Sequence, residues 1–170
     1  MQAFDSLSRD IQQYIYDKGW PSLTSIQNAA IKQVANTDHN LILSAPTASG
    51  KTEAAFIPAL NSVEDWETGL KVLYISPLKA LINDQFQRIS ELSEYLDIPI
   101  TRWHGEVSQA QKRKVVNQPK GVLLITPESI EGMLVNRPGE AQHLFKGVEW
   151  IIIDELHSFL GTERGIHLQS

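Results

Sequence analysis

Five short apolar runs, Leu41 to Ser44, Val72 to Ser76, Ile98 to Trp103, Val122 to Thr126 and Trp150 to Asp154, alternate with stretches of helical period. Runs this short and this apolar read as strands buried on both faces, as in a parallel sheet, with the intervening helices as crossovers. The fold class that follows is α/β, a mainly parallel sheet flanked by helices. The 170 residues suffice for one such domain, so residues 1–170 are expected as a single domain and 1–36 as its helical lead-in. In that lead-in Ser8 caps a helix carrying Ile11, Tyr14 and Ile15 and stopped by Gly19. A second helix starts near Thr24, with Ile26, Ala30 and Val34 on one face. Ser76-Pro77 and Thr126-Pro127 place a cap and a helix-starting proline at two strand ends. The first of these helices carries Leu78, Leu81, Ile82, Phe86 and Ile89 on one stripe. Both N-termini should face the carboxyl edge of the sheet, where helix dipoles and free N–H groups gather ligands.

Charge and composition narrow the function. A net charge of −5 excludes a uniformly basic coat for nucleic acid or an anionic membrane. Any polyanion site must be local, and Thr101 to Lys120 holds five bases (Arg102, Lys112, Arg113, Lys114, Lys120) against Glu106. Lys112-Arg113-Lys114 reads either as a solvated helix face or as part of a polyanion track, and Trp103 either as core or as a platform for a base. Cysteine is absent, which excludes disulfides and thiolate chemistry and is compatible with the cytoplasm. The longest apolar runs fall far short of the ~20 residues of a membrane span, so no membrane partner is expected.

After the first run the chain reads Ala45-Pro46-Thr47-Ala48-Ser49-Gly50-Lys51-Thr52, followed by the helical Glu53-Ala54-Ala55-Phe56. This is a phosphate-binding loop in strand-to-helix context. Successive backbone N–H groups from Thr47 to Lys51 wrap a β-phosphate, Gly50 allows close approach, Lys51 neutralises β/γ oxygens and the Thr52 hydroxyl binds Mg²⁺. If Ala48 must adopt positive φ, its Cβ costs roughly 1 kcal/mol. The fifth run ends in Asp154-Glu155-Leu156-His157. Asp154 would hold the Mg²⁺ shell through water, and Glu155 would orient and deprotonate an attacking water. Alone such an end is often a solvated turn. Joined to a phosphate loop about 100 residues upstream, it points to ATP–Mg²⁺ hydrolysis, with the two motifs expected to meet around one triphosphate.

Ala45 to Thr52 with Asp154-Glu155-Leu156-His157 resemble motifs I and II of superfamily 2 helicases of the DExH type. Gly19 to Gln27, with Phe4 upstream, resembles the adenine-reading Q motif, with Leu23 in place of the usual proline. Ser76-Pro77-Leu78-Lys79-Ala80-Leu81 is similar to motif Ia and Thr126-Pro127-Glu128-Ser129 to motif Ib. Tyr74-Ile75-Ser76-Pro77-Leu78-Lys79-Ala80-Leu81, His104-Gly105-Glu106-Val107-Ser108 and Gly161 to Gly165 resemble the Lhr-like branch. The resemblance implies an N-terminal RecA-like P-loop NTPase domain. It assigns adenine contact to Gln27, which equally reads as the third residue of a capping box on Thr24. Nucleic-acid contacts fall to Pro77, Lys79, His104, Gly105, Thr126, Pro127 and Ser129, and His157 couples the nucleotide site to that surface.

By the same resemblance motif III and a C-terminal RecA-like domain with an arginine finger would lie beyond Ser170. Such a finger is worth about 10³–10⁵ in rate, so the piece alone is expected to bind ATP and hydrolyse it feebly. The expectation is therefore the ATP-driven motor domain of a DNA helicase or translocase. An RNA-directed DExH helicase, a non-catalytic nucleotide-binding module and, more remotely, a small P-loop kinase remain the alternatives.

Overall fold

The computed structural model describes residues 3–46 and 48–159. The chain divides between Glu64 and Asp65 into two compact units. In the first, a 3-10 turn (Phe4–Ser6) leads into α1 (Arg9–Asp17), α2 (Ser25–Asn36) and α3 (Lys51–Ser62). The Ser8 hydroxyl accepts the Ile11 N–H to start α1, whose buried face is Ile11, Tyr14 and Ile15 as the spacing predicts. Gly19, at φ +65°, turns the chain away from that helix. Thr24 and Gln27 form a reciprocal capping box at the start of α2. The buried face of α2 is Gln27, Ala30 and Ile31, one residue round from the expected stripe, with Ile26 and Val34 half-buried. α2 packs along α3, which buries Ala54, Phe56, Ile57, Ala59 and Leu60 and so is apolar on every side, as a central helix must be. At its far end Asn61 accepts the Ser8 N–H at 2.6 Å and donates to the Ser6 carbonyl, tying the two ends of the unit together.

The first expected strand is not one. Residues 38–46 join no ladder among the described residues, and Ile42 is 84% exposed. An apolar tetrad becomes a strand only where a neighbour supplies partners for its N–H and C=O groups, and none of the described residues supplies them.

The second unit runs β1 (Gly69–Ile75), α4 (Lys79–Tyr95), β2 (Ile100–Trp103), α5 (Gln109–Asn117), β3 (Lys120–Ile125), α6 (Pro127–Asn136), α7 (Pro138–Phe145) and β4 (Trp150–Ile153). Every pairing is parallel and the order is β2-β3-β1-β4. The central strands β1 and β3 are buried almost end to end, the pattern of a sheet covered on both faces. Leu73, Ile75, Leu123 and Ile125 form one core with Trp103 and Met133. Lys71 enters this sheet at a register shift between Leu70 and Val72 and is neutralised by Glu149 at 2.8 Å. The edge strand β4 alternates instead, leaving Ile151 59% exposed. No helix among the described residues is long and apolar enough to cross a membrane.

Two details correct the sequence reading. Ser76 does not cap α4: its N–H donates to the Ile125 carbonyl at 3.2 Å, prolonging the ladder, so the helix starts at Lys79 with Leu78 as its cap residue. Leu78 is therefore half-exposed rather than on the buried stripe, which Ile82, Ile89 and Leu92 supply. Thr126 does precede α6 with Pro127 in its first turn, yet its side chain caps nothing and meets the Ser129 hydroxyl at 2.9 Å.

Gly121 opens the central strand β3 at φ +67°, and a Cβ built there would overlap the Pro99 carbonyl oxygen, the same oxygen that accepts the Val122 N–H. The substitution Gly121→Ala combines a backbone clash with a left-handed alanine, and should destabilise the chain by about 3 kcal/mol or more. Urea unfolding followed by circular dichroism measures it; a loss below about 1 kcal/mol would show that the β2–β3 edge can yield.

Candidate functional site

The phosphate loop belongs to the first unit. Thr47 lies outside the described residues; Ala48 and Gly50 flank Ser49 at φ +62° and +83°. Ala48 thus does adopt the left-handed backbone, carrying a strain of about 1 kcal/mol. The two left-handed positions bend the chain into the start of α3, where Gly50 offers no side-chain cap, leaving first-turn N–H groups for a ligand. The Lys51 ammonium reaches back to the Ala45 carbonyl at 2.9 Å. Ser49 Oγ is buried without a partner, an orphan that a phosphate oxygen would satisfy. Thr52, half-buried, stands in the first turn of α3. Gln27 is 4% exposed and doubly occupied: its Oε1 accepts the Thr24 N–H at 2.9 Å and its Nε2 points at the Gly50 carbonyl at 3.5 Å. The capping-box reading is thus realised, and the same side chain braces the loop.

In the second unit the ladder sets four strand ends level. Ile75 pairs with Ile125 and with Ile153, and Ile125 pairs with Trp103. The residues that follow, Ser76, Thr126, Asp154 and His104, therefore leave the sheet along one edge, neighbours roughly 4.8 Å apart. The Asp154 N–H still donates to the Ile75 carbonyl at 2.9 Å. Its carboxylate is held from two sides, Oδ2 by the Tyr74 hydroxyl at 2.5 Å and Oδ1 by the Glu155 N–H at 2.9 Å. Burial, then the bond to Asp154, push the Tyr74 phenol far above the ordinary tyrosine range, so it stays a donor. Glu155 turns the chain at φ +50°, a left-handed residue of the kind that clusters at functional sites, and its carboxylate lies 3.2 Å from His157 Nε2. His157 is largely exposed.

The candidate nucleic-acid residues spread along the same edge. Pro77 and Pro127 are buried and shape the turns. Lys79, Gly105 and Ser129 reach the surface fully or in part. Lys79 is paired with Glu106, which depresses the Glu106 carboxyl below the ordinary range. His104 is 5% exposed; Nδ1 accepts the Glu106 N–H at 3.4 Å, while Nε2 is buried and unpartnered. Trp103 is core, 3% exposed, so it offers no platform for a base, although the Lys112 ammonium lies 5.8 Å from its ring. Arg102 is held against α4 by Asn83 and over the Phe86 ring. Arg113 and Lys114 are exposed on α5.

Magnesium takes hard oxygen donors and needs few protein ligands beside phosphate and water. The Thr52 hydroxyl and the Asp154 carboxylate are donors of that kind, and no cluster of three His, Cys, Asp or Glu suited to another metal occurs among the described residues. Sequence reasoning quoted Tyr74 only for the family resemblance and missed both its bond to Asp154 and the Lys79–Glu106 pair. A tyrosine inside an aliphatic strand was the available signal, because a buried phenol must find an acceptor.

Residues 24–170 match the family described as DEAD/DEAH box helicase. The chain is 29% identical, over 98% of its length, to the ATP-dependent helicase Lhr-Core of Methanocaldococcus jannaschii, covering 21% of that protein. It is 35% identical over 85% of its length to the Lhr helicase/uracil glycosylase of Escherichia coli, covering 11% of it. Among solved structures, the Mycobacterium smegmatis helicase Lhr bound to ssDNA and AMP-PNP superposes with a TM-score of 0.85 at 29% identity, over 99% of this chain and 22% of that one. The chain thus spans about a fifth or less of the length of these relatives.

Burial first, then Arg102, holds the His104 imidazole below its ordinary value, with Glu106 opposing and Lys112 and Lys79 reinforcing. A depressed histidine contributes stability that is complete above about pH 6.5 and lost as pH falls through the folded value. The melting temperature should therefore drop between about pH 7.5 and about pH 5.5, and drop less in His104→Asn. Identical profiles for the two proteins would remove His104 from the acid sensitivity.

Proposed function

The chain belongs to the DEAD/DEAH box helicase family, and from that premise we propose that it is the ATP-binding motor domain of an Lhr-type helicase that hydrolyses ATP to move along DNA. The observation that carries the reading is the flush edge of the sheet, where Asp154-Glu155, the start of α4, the start of α6 and the His104-Gly105 turn leave four adjacent parallel strands at one level. In an open α/β sheet that edge is where ligands are engaged. The preference for DNA over RNA is supported by the related Lhr structure, which holds ssDNA together with a nucleotide.

In this reading the loop N–H groups and Lys51 take the phosphates of ATP. The Thr52 hydroxyl and, through water, the Asp154 carboxylate are the residues that would hold Mg²⁺, which would supply charge neutralisation at the phosphate oxygens. Glu155 orients a water and accepts its proton as the oxygen bonds to the γ-phosphorus and the β–γ bridging bond breaks, giving ADP and phosphate. The Glu155–His157 contact ties that base to the turn that follows it. Lys79, Gly105 and Ser129 contact the sugar–phosphate backbone, which positions a strand without reading its sequence, while the buried Thr126 holds the Ser129 hydroxyl. A C-terminal RecA-like domain is the proposed partner in the cycle.

Lys51→Ala should weaken ATP–Mg²⁺ binding at least about tenfold, measured with a fluorescent ATP analogue; equal affinity would defeat the phosphate-loop assignment. In a longer chain that includes the C-terminal RecA-like domain, Glu155→Gln should bind ATP and lose turnover about 10²-fold or more, and retained turnover would take the base role from it. Glu106→Gln frees Lys79 for phosphate and should tighten binding of a single-stranded oligonucleotide several-fold at low salt. Unchanged affinity there would remove Lys79 from the DNA surface.

A further inference from the structure

Tyr74 breaks the composition of its strand. Its neighbours Leu70, Val72, Leu73 and Ile75 are aliphatic and buried, and Tyr74 itself is 3% exposed. In a core of that kind a hydroxyl is a liability unless it has a partner, since an unbonded buried polar group forfeits its hydration for nothing. Here the partner is specific. Tyr74 lies opposite Ile152 in the β1–β4 register, two residues before Asp154, and its hydroxyl donates to Asp154 Oδ2 at 2.5 Å. The other carboxylate oxygen takes the N–H of the adjoining Glu155 at 2.9 Å, and the Asp154 backbone is pinned by the Ile75 carbonyl. Of these two donors to the carboxylate, the Glu155 amide moves with the Asp154 turn, whereas the Tyr74 hydroxyl is anchored in the central strand.

We propose that Tyr74 is a positioning residue of the hydrolytic site: its buried hydroxyl fixes the orientation of the Asp154 carboxylate and thereby sets the affinity of the site for Mg²⁺. The inference rests on the reading of Asp154 given above. Tyr74 touches neither nucleotide nor water in this role; it acts through the carboxylate, as outer partners of metal ligands do when they orient the ligand. Phenylalanine would fill the same core volume, so packing alone does not call for the hydroxyl.

The test is Tyr74→Phe in the full chain, with binding of a fluorescent ATP analogue followed as Mg²⁺ is titrated, and again in EDTA. The Mg²⁺ midpoint should rise about tenfold or more, the loss typical when an outer partner of a metal ligand is removed, while Mg²⁺-free nucleotide binding stays at the wild-type level. In steady state the half-saturating Mg²⁺ concentration should rise more than kcat falls. An unchanged midpoint overturns the proposal. So does an equal loss with and without Mg²⁺, or a variant that fails to fold, since either would show the hydroxyl serving the fold rather than the carboxylate. A wild-type chain with no Mg²⁺-dependent nucleotide binding would instead sink the parent reading along with this one.

Discussion

The parallel ladder through β1 is the constraint on which the second unit depends. β1 pairs with β3 on one side and β4 on the other, and the pairing runs one residue past the strands, through Ser76 N–H to Ile125 and Asp154 N–H to Ile75. Because slanted parallel bonds lock each strand against its neighbour, a shift of one residue would turn every buried side chain to the wrong face. Register is therefore fixed by the core, and the core in turn fixes where the chemistry-bearing residues emerge. The same hydrogen bond that denies Ser76 a capping role delays α4 and leaves Pro77 buried and Lys79 at the surface.

Part of the backbone strain and of the unmet hydrogen bonding lies at the candidate functional loops of both units. Ala48 and Glu155 are left-handed without being glycine, and Ser49 Oγ and His104 Nε2 are buried without partners. Each costs stability that the surrounding apolar packing must offset. Such costs persist where a backbone must present N–H groups or a carboxylate in one direction, and the phosphate loop and the Asp154-Glu155 turn are two such places. Lys79 and Glu106 show the complementary device, a surface charge neutralised by a neighbour from another turn.

Much of this was legible in the residues. Ser8 and Thr24 declare their helices because capping is local chemistry, satisfied within three residues. The four runs that became strands were readable from length and apolarity, and the phosphate loop from its glycine, lysine and threonine in order. Leu41 to Ser44 misled for the opposite reason: apolar composition is local, but a strand needs a neighbour to pair with, and that is not encoded in the tetrad. Trp103 was ambiguous between core and platform until its burial resolved it, since an indole suits either setting. Gln27 realises the capping box its sequence position allowed and in addition reaches Gly50, a contact its position did not announce.

The sequence by itself determined the type of every element but the run at Leu41 to Ser44, together with the phosphate loop, the acidic strand end and the family resemblance, because these rest on residues a few positions apart. Only the tertiary structure decided the strand order β2-β3-β1-β4 and the level at which four strands end. It also set Tyr74 against Asp154 across 80 residues and Lys79 against Glu106 across 27. Those contacts join partners whose separation along the chain carries no periodic signal. They exist because the buried ladder brings distant segments into register, and that register is a property of the packed sheet rather than of any one segment.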